Sequence, residues 1–425
     1  MSLLRRKRKY HIFRTPRFSR FFKRNTDAVS FKGNRVVLFR NGGEFFLALF
    51  RALGEAARNV CLEFYIIKDD RVGREFADCL LAAAERGVEV TLLYDYFGCI
   101  DTPNSYFRRL EKGGVSCLPF NPPTFKRGIH WLDKRDHRKM AIIDGERAFL
   151  GGLNIAEEYA GFGECLYKWR DVGIMIDGPA VEELRGLFWD SWQREGGMVP
   201  VEWRNSIHPV PEAGGDEVMI VSGGPHHNRS FIRGSFRMAI AGASASIKVM
   251  NPYFVPGPRI VRSLLRAVGR GVRVQLVLPA ISDVPLVRLV SRGFYAPLLK
   301  AGIEIFEREG TMLHAKVMLI DDYWVTIGSA NLDLRSFHRN YEVNVIVDSH
   351  DFGSQVADMF AADLASGELV APFDVSCEDG FGYYLKFHPE DLADPVIAAF
   401  RSWMIAGFNE VLAARTSARR SDPAA

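Results

Sequence analysis

The chain lacks any apolar run long enough to cross a bilayer. Its longest stretch without Lys, Arg, Asp or Glu is residues 113–125, 13 residues that include three prolines. A spanning helix needs about 20 apolar residues, and proline interrupts a helix in any case. Cysteine is sparse and unpatterned: the six, at 61, 79, 99, 117, 165 and 377, form no CxxC pair. That excludes a disulfide scaffold or a zinc ribbon and fits a reducing cytoplasm. The ten histidines form no cluster with metal-ligand spacing, and the adjacent His226-His227 pair sits in a loop-like stretch before a helix. No metal and no cofactor are expected.

Acidic residues are missing from the first 25 positions, which carry ten Lys or Arg; with a net charge of +4, the other 400 residues hold about −6. Tyr10, Phe13, Phe18, Phe21 and Phe22 interleave with these cations, and no apolar h-region of a secretory signal is present. Such a segment can lie in a lipid headgroup layer, where each cation near an anionic surface contributes about 1 kcal/mol. The competing reading is a solubilising or nucleic-acid-binding tail. Elsewhere, 48% hydrophobic and 25% charged residues are ordinary globular values.

What is present is a motif that occurs twice. His137-x-Lys139-x4-Asp144 is followed by Gly151-Gly152-Leu153-Asn154, and His314-x-Lys316-x4-Asp321 by Gly328-Ser329-Ala330-Asn331. In both copies the glycine lies 14 residues and the asparagine 17 residues after the histidine. One match is weak, but repetition with the same downstream spacing makes coincidence remote. On a strand, residues i and i+2 share a face, so each His–Lys pair projects together. The runs Met140–Ile143 and Val317–Ile320 continue as buried strands.

These residue types suit phosphodiester chemistry. One neutral imidazole attacks phosphorus while a protonated one donates to the departing alkoxide. Two lysines and two asparagines supply charge and donors to the pentacoordinate phosphoryl group without a metal. Gly151, Gly152, Gly328 and Ser329 fit strand ends where backbone approaches a phosphate closely. Asp144 and Asp321 belong to the motif, but Asp144-Gly145 and Asp321-Asp322 lie between apolar runs and read as turn or framework residues.

The paired motifs resemble the phospholipase D superfamily. The stretches 81–90 (LAAAERGVEV), 151–159 (GGLNIAEEY) and 329–342 (SANLDLRSFHRNYE), with Asn41-Gly42-Gly43-Glu44 and Trp169-Arg170-Asp171, are similar to bacterial cardiolipin synthases, specifically a short class without N-terminal transmembrane segments. The similarity covers roughly residues 35–370. It implies His137 as nucleophile and His314 as general acid, then base. It also implies a catalytic set completed by Lys139, Asp144, Lys316 and Asp321, with phosphate held by Asn154, Asn331 and Ser329. Each imidazole needs an acceptor on its second nitrogen; the resemblance suggests Asp171 for His137 and Glu342 for His314.

The organisation repeats beyond the motif. Strand 59–67, helix 73–86 and strand 88–94 match strand 246–254, helix 258–270 and strand 272–278. Arg86-Gly87-Val88 and Arg270-Gly271-Val272 are near copies, with glycine as the helix stop. The expected fold is α/β: two duplicated phospholipase D-like halves, each a β-sheet flanked by helices, packed around a shared active-site cleft. The expected boundaries are 1–30 for the basic aromatic membrane-association segment, 31–205 and 206–370 for the halves, and 371–425 for a C-terminal extension. In that extension, 395–412 forms an amphipathic helix ahead of a disordered tail. The halves differ in two inserts: residues 115–136, with Phe125, His130 and Trp131, and the apolar segment 284–299, with Arg288 and Arg292. Either could line a lipid-entry groove.

The expected activity is phosphatidyl transfer between phospholipids through a phosphohistidine, two phosphatidylglycerols giving cardiolipin and glycerol. Phosphatidylethanolamine is an alternative donor, and hydrolysis the close variant. A nuclease would use the same histidines, but basic charge is confined to residues 1–25, so no nucleic acid is expected. A non-catalytic membrane adaptor is disfavoured because every expected catalytic position is filled. The expected place is the cytoplasmic face of the cell membrane, held peripherally through residues 1–25 on anionic lipid.

Overall fold

A computed structural model of the chain describes residues 22, 28–124, 133–161, 168–201, 210–225 and 230–370. The chain divides into two units, Met1–Val370 and Ala371–Ala425. The basic segment 1–25 (residue 22 apart), Phe125, His130 and Trp131, His226-His227 and the expected helix 395–412 lie outside the described residues.

The first half contributes β1 (Val29–Phe39), β2 (Asn59–Phe64), β3 (Glu89–Asp95), β4 (Ser116–Phe120), β5 (Lys139–Ile143), β6 (Arg147–Gly151) and β7 (Gly173–Asp177). The second contributes β8 (Asp216–Gly223), β9 (Ser246–Met250), β10 (Arg273–Pro279), β11 (Glu304–Arg308), β12 (Val317–Ile320), β13 (Trp324–Gly328), β14 (Glu342–Asp348) and β15 (Leu369–Val370). All fifteen form one sheet in the order β15-β11-β10-β9-β12-β13-β14-β8-β1-β7-β6-β5-β2-β3-β4. Read outward from the central β1–β8 pair, the two arms have the same order of corresponding strands, with β15 added at one edge. The duplication in the sequence is therefore a duplication of topology.

The two half-sheets are hydrogen-bonded into one rather than merely packed. The device is β1, whose Val29–Phe31 and Asn34 pair with β8 while Arg35–Phe39 pair with β7, the register shifting between Phe31 and Asn34. Buried Asn34 pins that bulge: its amide donates to the Phe31 carbonyl at 2.9 Å and accepts the Ala180 N–H at 2.9 Å. A bulge bends its strand and adds twist, which lets one strand serve both arms.

The arms share one apolar core, in which Leu150 and Ile174 belong with Ile327 and Val345. The other face of the first arm is covered by helices Gly42–Glu55, Arg71–Glu85 and Asn104–Lys112, which bury Phe45, Phe76 and Leu110 among others. Strands covered on both faces lose alternation, and β5, β6, β12 and β13 are buried almost throughout. Each fully buried Ile, Leu or Val there contributes about 1.5–3 kcal/mol.

Local capping repeats too. The Asp70 carboxylate accepts the Gly73 N–H at 2.8 Å to start helix Arg71–Glu85. That helix ends at Gly87 with φ +86°, and Gly257–Gly269 ends at Gly271 with φ +84°. The arginine before each glycine reaches back to an earlier helix end. Arg86 donates to the Leu53 and Ala56 carbonyls, and Arg270 to those of Ile240 and Ala243. These bonds satisfy carbonyls that have no partner within their own helix. Among the described residues no helix is long and apolar enough to cross a membrane.

Candidate active site

His137 and His314 sit just ahead of β5 and β12, and the main chain there is exchanged between halves. His137 N–H donates to the Tyr341 carbonyl at 2.9 Å, and Tyr341 N–H to the Arg135 carbonyl at 2.9 Å. In the other copy, His314 N–H donates to the Arg170 carbonyl at 2.8 Å and Arg170 N–H to the Met312 carbonyl at 2.7 Å. Each histidine is thus stitched to the residue preceding the other half's acid.

This stitching corrects the expected pairing. His137 Nδ1 bonds Glu342 Oε2 at 3.0 Å, and His314 Nδ1 bonds Asp171 Oδ2 at 2.6 Å. The acids are the expected ones, but they are crossed between halves. The reason is topological: the acids at the starts of β7 and β14 each meet the other half's motif strand across the shared core.

Both lysines fold back over their histidines. Lys139 Nζ donates to the His137 carbonyl at 2.6 Å and lies 5.1 Å from the Tyr65 ring centre. Lys316 Nζ donates to the His314 carbonyl at 2.5 Å and sits 3.0 and 3.1 Å from that imidazole's two nitrogens. Aromatic walls complete the site: Tyr65 is edge-on to His137 at 5.0 Å, while Tyr159 and Trp169 stand 5.2 Å from His314. The sequence reading assigned these three no role. Tyr159 and Trp169 fall within the stretches that carry the resemblance, which was the available signal.

Burial dominates the electrostatics. It pushes His137 down to about 4, although Glu342 pulls the other way. It drives His314 well below the ordinary imidazole value, helped by Lys316 and Lys139. Burial also lowers Lys139 to about 7 and Lys316 to about 8. The two carboxyls diverge. Burial raises Asp171 to about 7 against the pull of Lys316. For Glu342 the upward push of burial is outweighed by His137, Lys139 and the Ser329 hydrogen bond, so it stays below the ordinary value. The His137–Glu342 pair therefore holds an ionised carboxylate and an imidazole protonated on Nδ1, which leaves Nε2 with a lone pair. With Asp171 raised to about 7, the His314–Asp171 pair retains one more proton below that pH.

For Asp144 and Asp321 the contacts match the framework reading rather than the catalytic set that the resemblance implied, and Ser329 is placed differently from expectation. Asp144 and Asp321 lie at the far ends of β5 and β12 from the histidines. The Asp144 carboxylate accepts the N–H groups of Ala57, Arg58 and Asn59 at 2.7–3.0 Å. Asp321 accepts those of Ser244, Ala245 and Ser246 at 2.7–2.9 Å. Ser329 is not placed as a phosphate donor, because its hydroxyl donates to Glu342 at 2.6 Å. It is a positioning residue for that carboxylate. Asn154 accepts the Ile66 N–H at 3.1 Å and donates to the Tyr159 hydroxyl at 2.8 Å, leaving one amide N–H for a ligand. Asn331 has a buried Oδ1 with no hydrogen-bond partner. Among the described residues no group of three or more His, Cys, Asp or Glu side chains could hold a metal ion.

Residues 49–192 and 236–364 match the family model described as cardiolipin synthase, PLD-like domain. The chain is 35% identical over 333 residues to a cardiolipin synthase of Geobacillus thermodenitrificans, covering 78% of this chain and 66% of that protein. It is 34% identical to a probable cardiolipin synthase of Bacillus subtilis (81% and 68% covered) and 36% identical to cardiolipin synthase A of Pseudomonas syringae (78% and 68%). It thus spans about two thirds of the length of the curated relatives it matches. Among solved structures, phosphatidylserine synthase of Haemophilus influenzae shares the fold with a TM-score of 0.63 at 12% identity, covering 93% of this chain and 99% of that one.

Proposed function

Because the chain belongs to the cardiolipin synthase, PLD-like domain family, we propose that it is a phosphatidyltransferase that joins two phosphatidylglycerols into cardiolipin and glycerol. The observation that carries the mechanism is the pair of buried imidazoles, each held by a carboxylate from the opposite half. His137 Nε2 attacks the donor's phosphorus as the P–O bond to the leaving glycerol breaks. The proton held by the His314–Asp171 pair passes from His314 to the departing alkoxide, and a phosphohistidine remains on His137. His314 then takes the proton of the acceptor lipid's hydroxyl as that oxygen attacks phosphorus and releases His137. Lys139, Lys316, Asn154 and Asn331 stabilise the equatorial phosphoryl oxygens, whose charge is greatest in the transition state. Phosphatidylethanolamine fits the same steps as donor. The reaction belongs at an anionic membrane surface on the cytoplasmic side, with residues 1–25 adding electrostatic attachment.

The test is a product assay with purified protein and phosphatidylglycerol vesicles in chelator, beside His137→Ala and His314→Ala. Cardiolipin and glycerol from the wild type and neither variant is the expected result. Phosphatidic acid as the main product would make the protein a hydrolase, and absence of both products would overturn the reading. Trapping the phosphohistidine with an alkaline quench, since its P–N bond is acid-labile, and locating it by peptide mass identifies the nucleophile: a label on His314 alone would reverse the two roles.

A further inference from the structure

Among the described residues twelve large hydrophobic side chains are exposed, and eight of them lie on segments that follow β3, β10 and β13 at the histidine end of the sheet. They are Phe97 and Ile100 in the first half, and Ile281, Val284, Leu286, Leu289, Val290 and Leu334 in the second. A scattered exposed leucine needs no explanation, but concentration at one end does.

The helix Pro285–Arg292 is the centre of this patch, and its amphipathicity is inverted. Leu286, Leu289 and Val290 share one face by their i, i+3, i+4 spacing and are 70%, 50% and 44% exposed. Arg292 instead turns inward and donates to Glu307 at 2.9 Å, and Ser291 is buried. A helix resting on a protein in water has the opposite arrangement. The segment is anchored to the site mouth: the Tyr253 hydroxyl donates to Asp283 at 2.8 Å, and Phe254 packs edge-on to Phe294. Val255 in the same loop bridges to Asp333, next to exposed Leu334.

Cations gather at this end. Arg233 bonds His338 at 2.7 Å, and its guanidinium is disfavoured by burial and by neighbouring Arg259 and Arg237. Helices Phe231–Gly242 and Gly257–Gly269 carry no acid in their first turns, although each has an arginine there. Like charges placed together at helix N-termini are unfavourable alone and are relieved by an anionic surface.

We propose that the histidine end of the molecule docks on an anionic phospholipid bilayer, with Leu286, Leu289 and Val290 inserted among the headgroups and Arg233, Arg237 and Arg259 against lipid phosphates. This rests on the reading of the site as one that acts on phospholipids. It places the site mouth on the bilayer, so a lipid reaches the histidines without fully leaving the membrane. The contact is separate from electrostatic attachment by residues 1–25.

The test is co-sedimentation of the full chain with vesicles of phosphatidylglycerol and phosphatidylcholine in about 0.5 M salt, which screens exposed charges but not apolar insertion. Leu286→Glu/Leu289→Glu is compared with Leu47→Glu/Met198→Glu, exposed leucine and methionine positions elsewhere. The rim variant should lose at least about tenfold in vesicle partition, the loss of burying two leucines being worth more than one factor of ten. The control variant should bind as wild type does. Turnover of short-chain phosphatidylglycerol below its micelle concentration should be unchanged in the rim variant, which also shows that it folds. Wild-type partition in the rim variant would overturn the proposal. So would a change from dimer to monomer by light scattering with unaltered vesicle binding, since the face would then join two copies. If the wild type turns over neither short-chain nor vesicle phosphatidylglycerol, the phosphatidyltransferase reading fails, while the partition measurements still decide the docking.

Discussion

Glu342 and Asp171 occupy corresponding places in the two halves, yet their protonation differs, and that difference has kinetic consequences. With His137 lowered to about 4, the proposed nucleophile is neutral across the ordinary range. With Asp171 raised to about 7, the proton for the leaving group is present below that pH and lost above it. The kcat/KM profile should therefore be flat from about pH 5 to 7 and fall on the alkaline side, the loss of charge on Lys139 near 7 adding to the fall. Glu342→Gln should lower phosphohistidine formation about 10²–10⁴-fold with any leaving group, because it disturbs the tautomer of His137. Asp171→Asn should cost as much with phosphatidylglycerol but little with a p-nitrophenyl ester, whose leaving group needs no proton. Single-turnover rates with both substrates check this; pairing within each half would give the opposite result. A second buried pair lies beside His137. Burial and the Asp136 charge hold the Glu63 carboxyl well above its ordinary value, against Arg138. A raised carboxyl stabilises the fold below the ordinary carboxylate range, and that contribution is lost as pH rises through the folded value. Glu63→Gln should therefore flatten the fall of Tm as pH rises above the ordinary carboxylate range.

At the scale of elements, Asp144 and Asp321 join each motif hairpin to the start of its neighbouring strand. Both adopt positive φ, 52° and 53°, and both accept a row of backbone N–H groups. Asp144→Ala leaves three N–H groups without their acceptor. It should cost about 2–4 kcal/mol by denaturant unfolding, while the folded fraction keeps near wild-type kcat. A large kcat defect in fully folded protein would return Asp144 to the catalytic set. Gly152 behaves oppositely. A Cβ there would lie 2.4 Å from Asp171 Oδ1, and that carboxylate is fixed by the Val172 N–H at 2.7 Å and by His314. Gly152→Ala should reduce kcat about 100-fold by misplacing Asp171 while Tm falls only a few degrees.

At the scale of the whole molecule, neither half owns a complete site. Each imidazole, its backbone anchor and its carboxylate come from both halves of the same chain. Arg170 reinforces the join by pairing with Asp363 at 2.8 Å. Mixing His137→Ala with His314→Ala protein should therefore restore no activity in the lipid assay. Recovery would mean that the halves exchange between chains. The single sheet has the same consequence for folding: β1 pairs with both arms, so Asn34→Ala at its bulge should weaken both together and lower one cooperative transition rather than split it.

The duplicated topology, the two histidines and lysines and the framework character of the aspartates were legible in the amino-acid sequence, whereas the two acids were suggested only by the family resemblance. Motif spacing is local, and an Asp between two apolar strands announces a turn wherever the strands later pack. The strand–helix–strand units around Gly87 and Gly271 were legible for the same reason, since a helix stop depends on a few neighbouring residues. Which acid faces which histidine was not legible, because two symmetric halves offer the same candidates and only their packing decides between pairing within a half and pairing across. The Ser329 hydroxyl bond to Glu342 and the sharing of β1 between arms were hidden likewise: both depend on contacts far apart in sequence. The outward apolar face of helix Pro285–Arg292 was visible only as an apolar stretch, since periodicity shows that a helix has two faces and tertiary structure alone decides which one meets the protein.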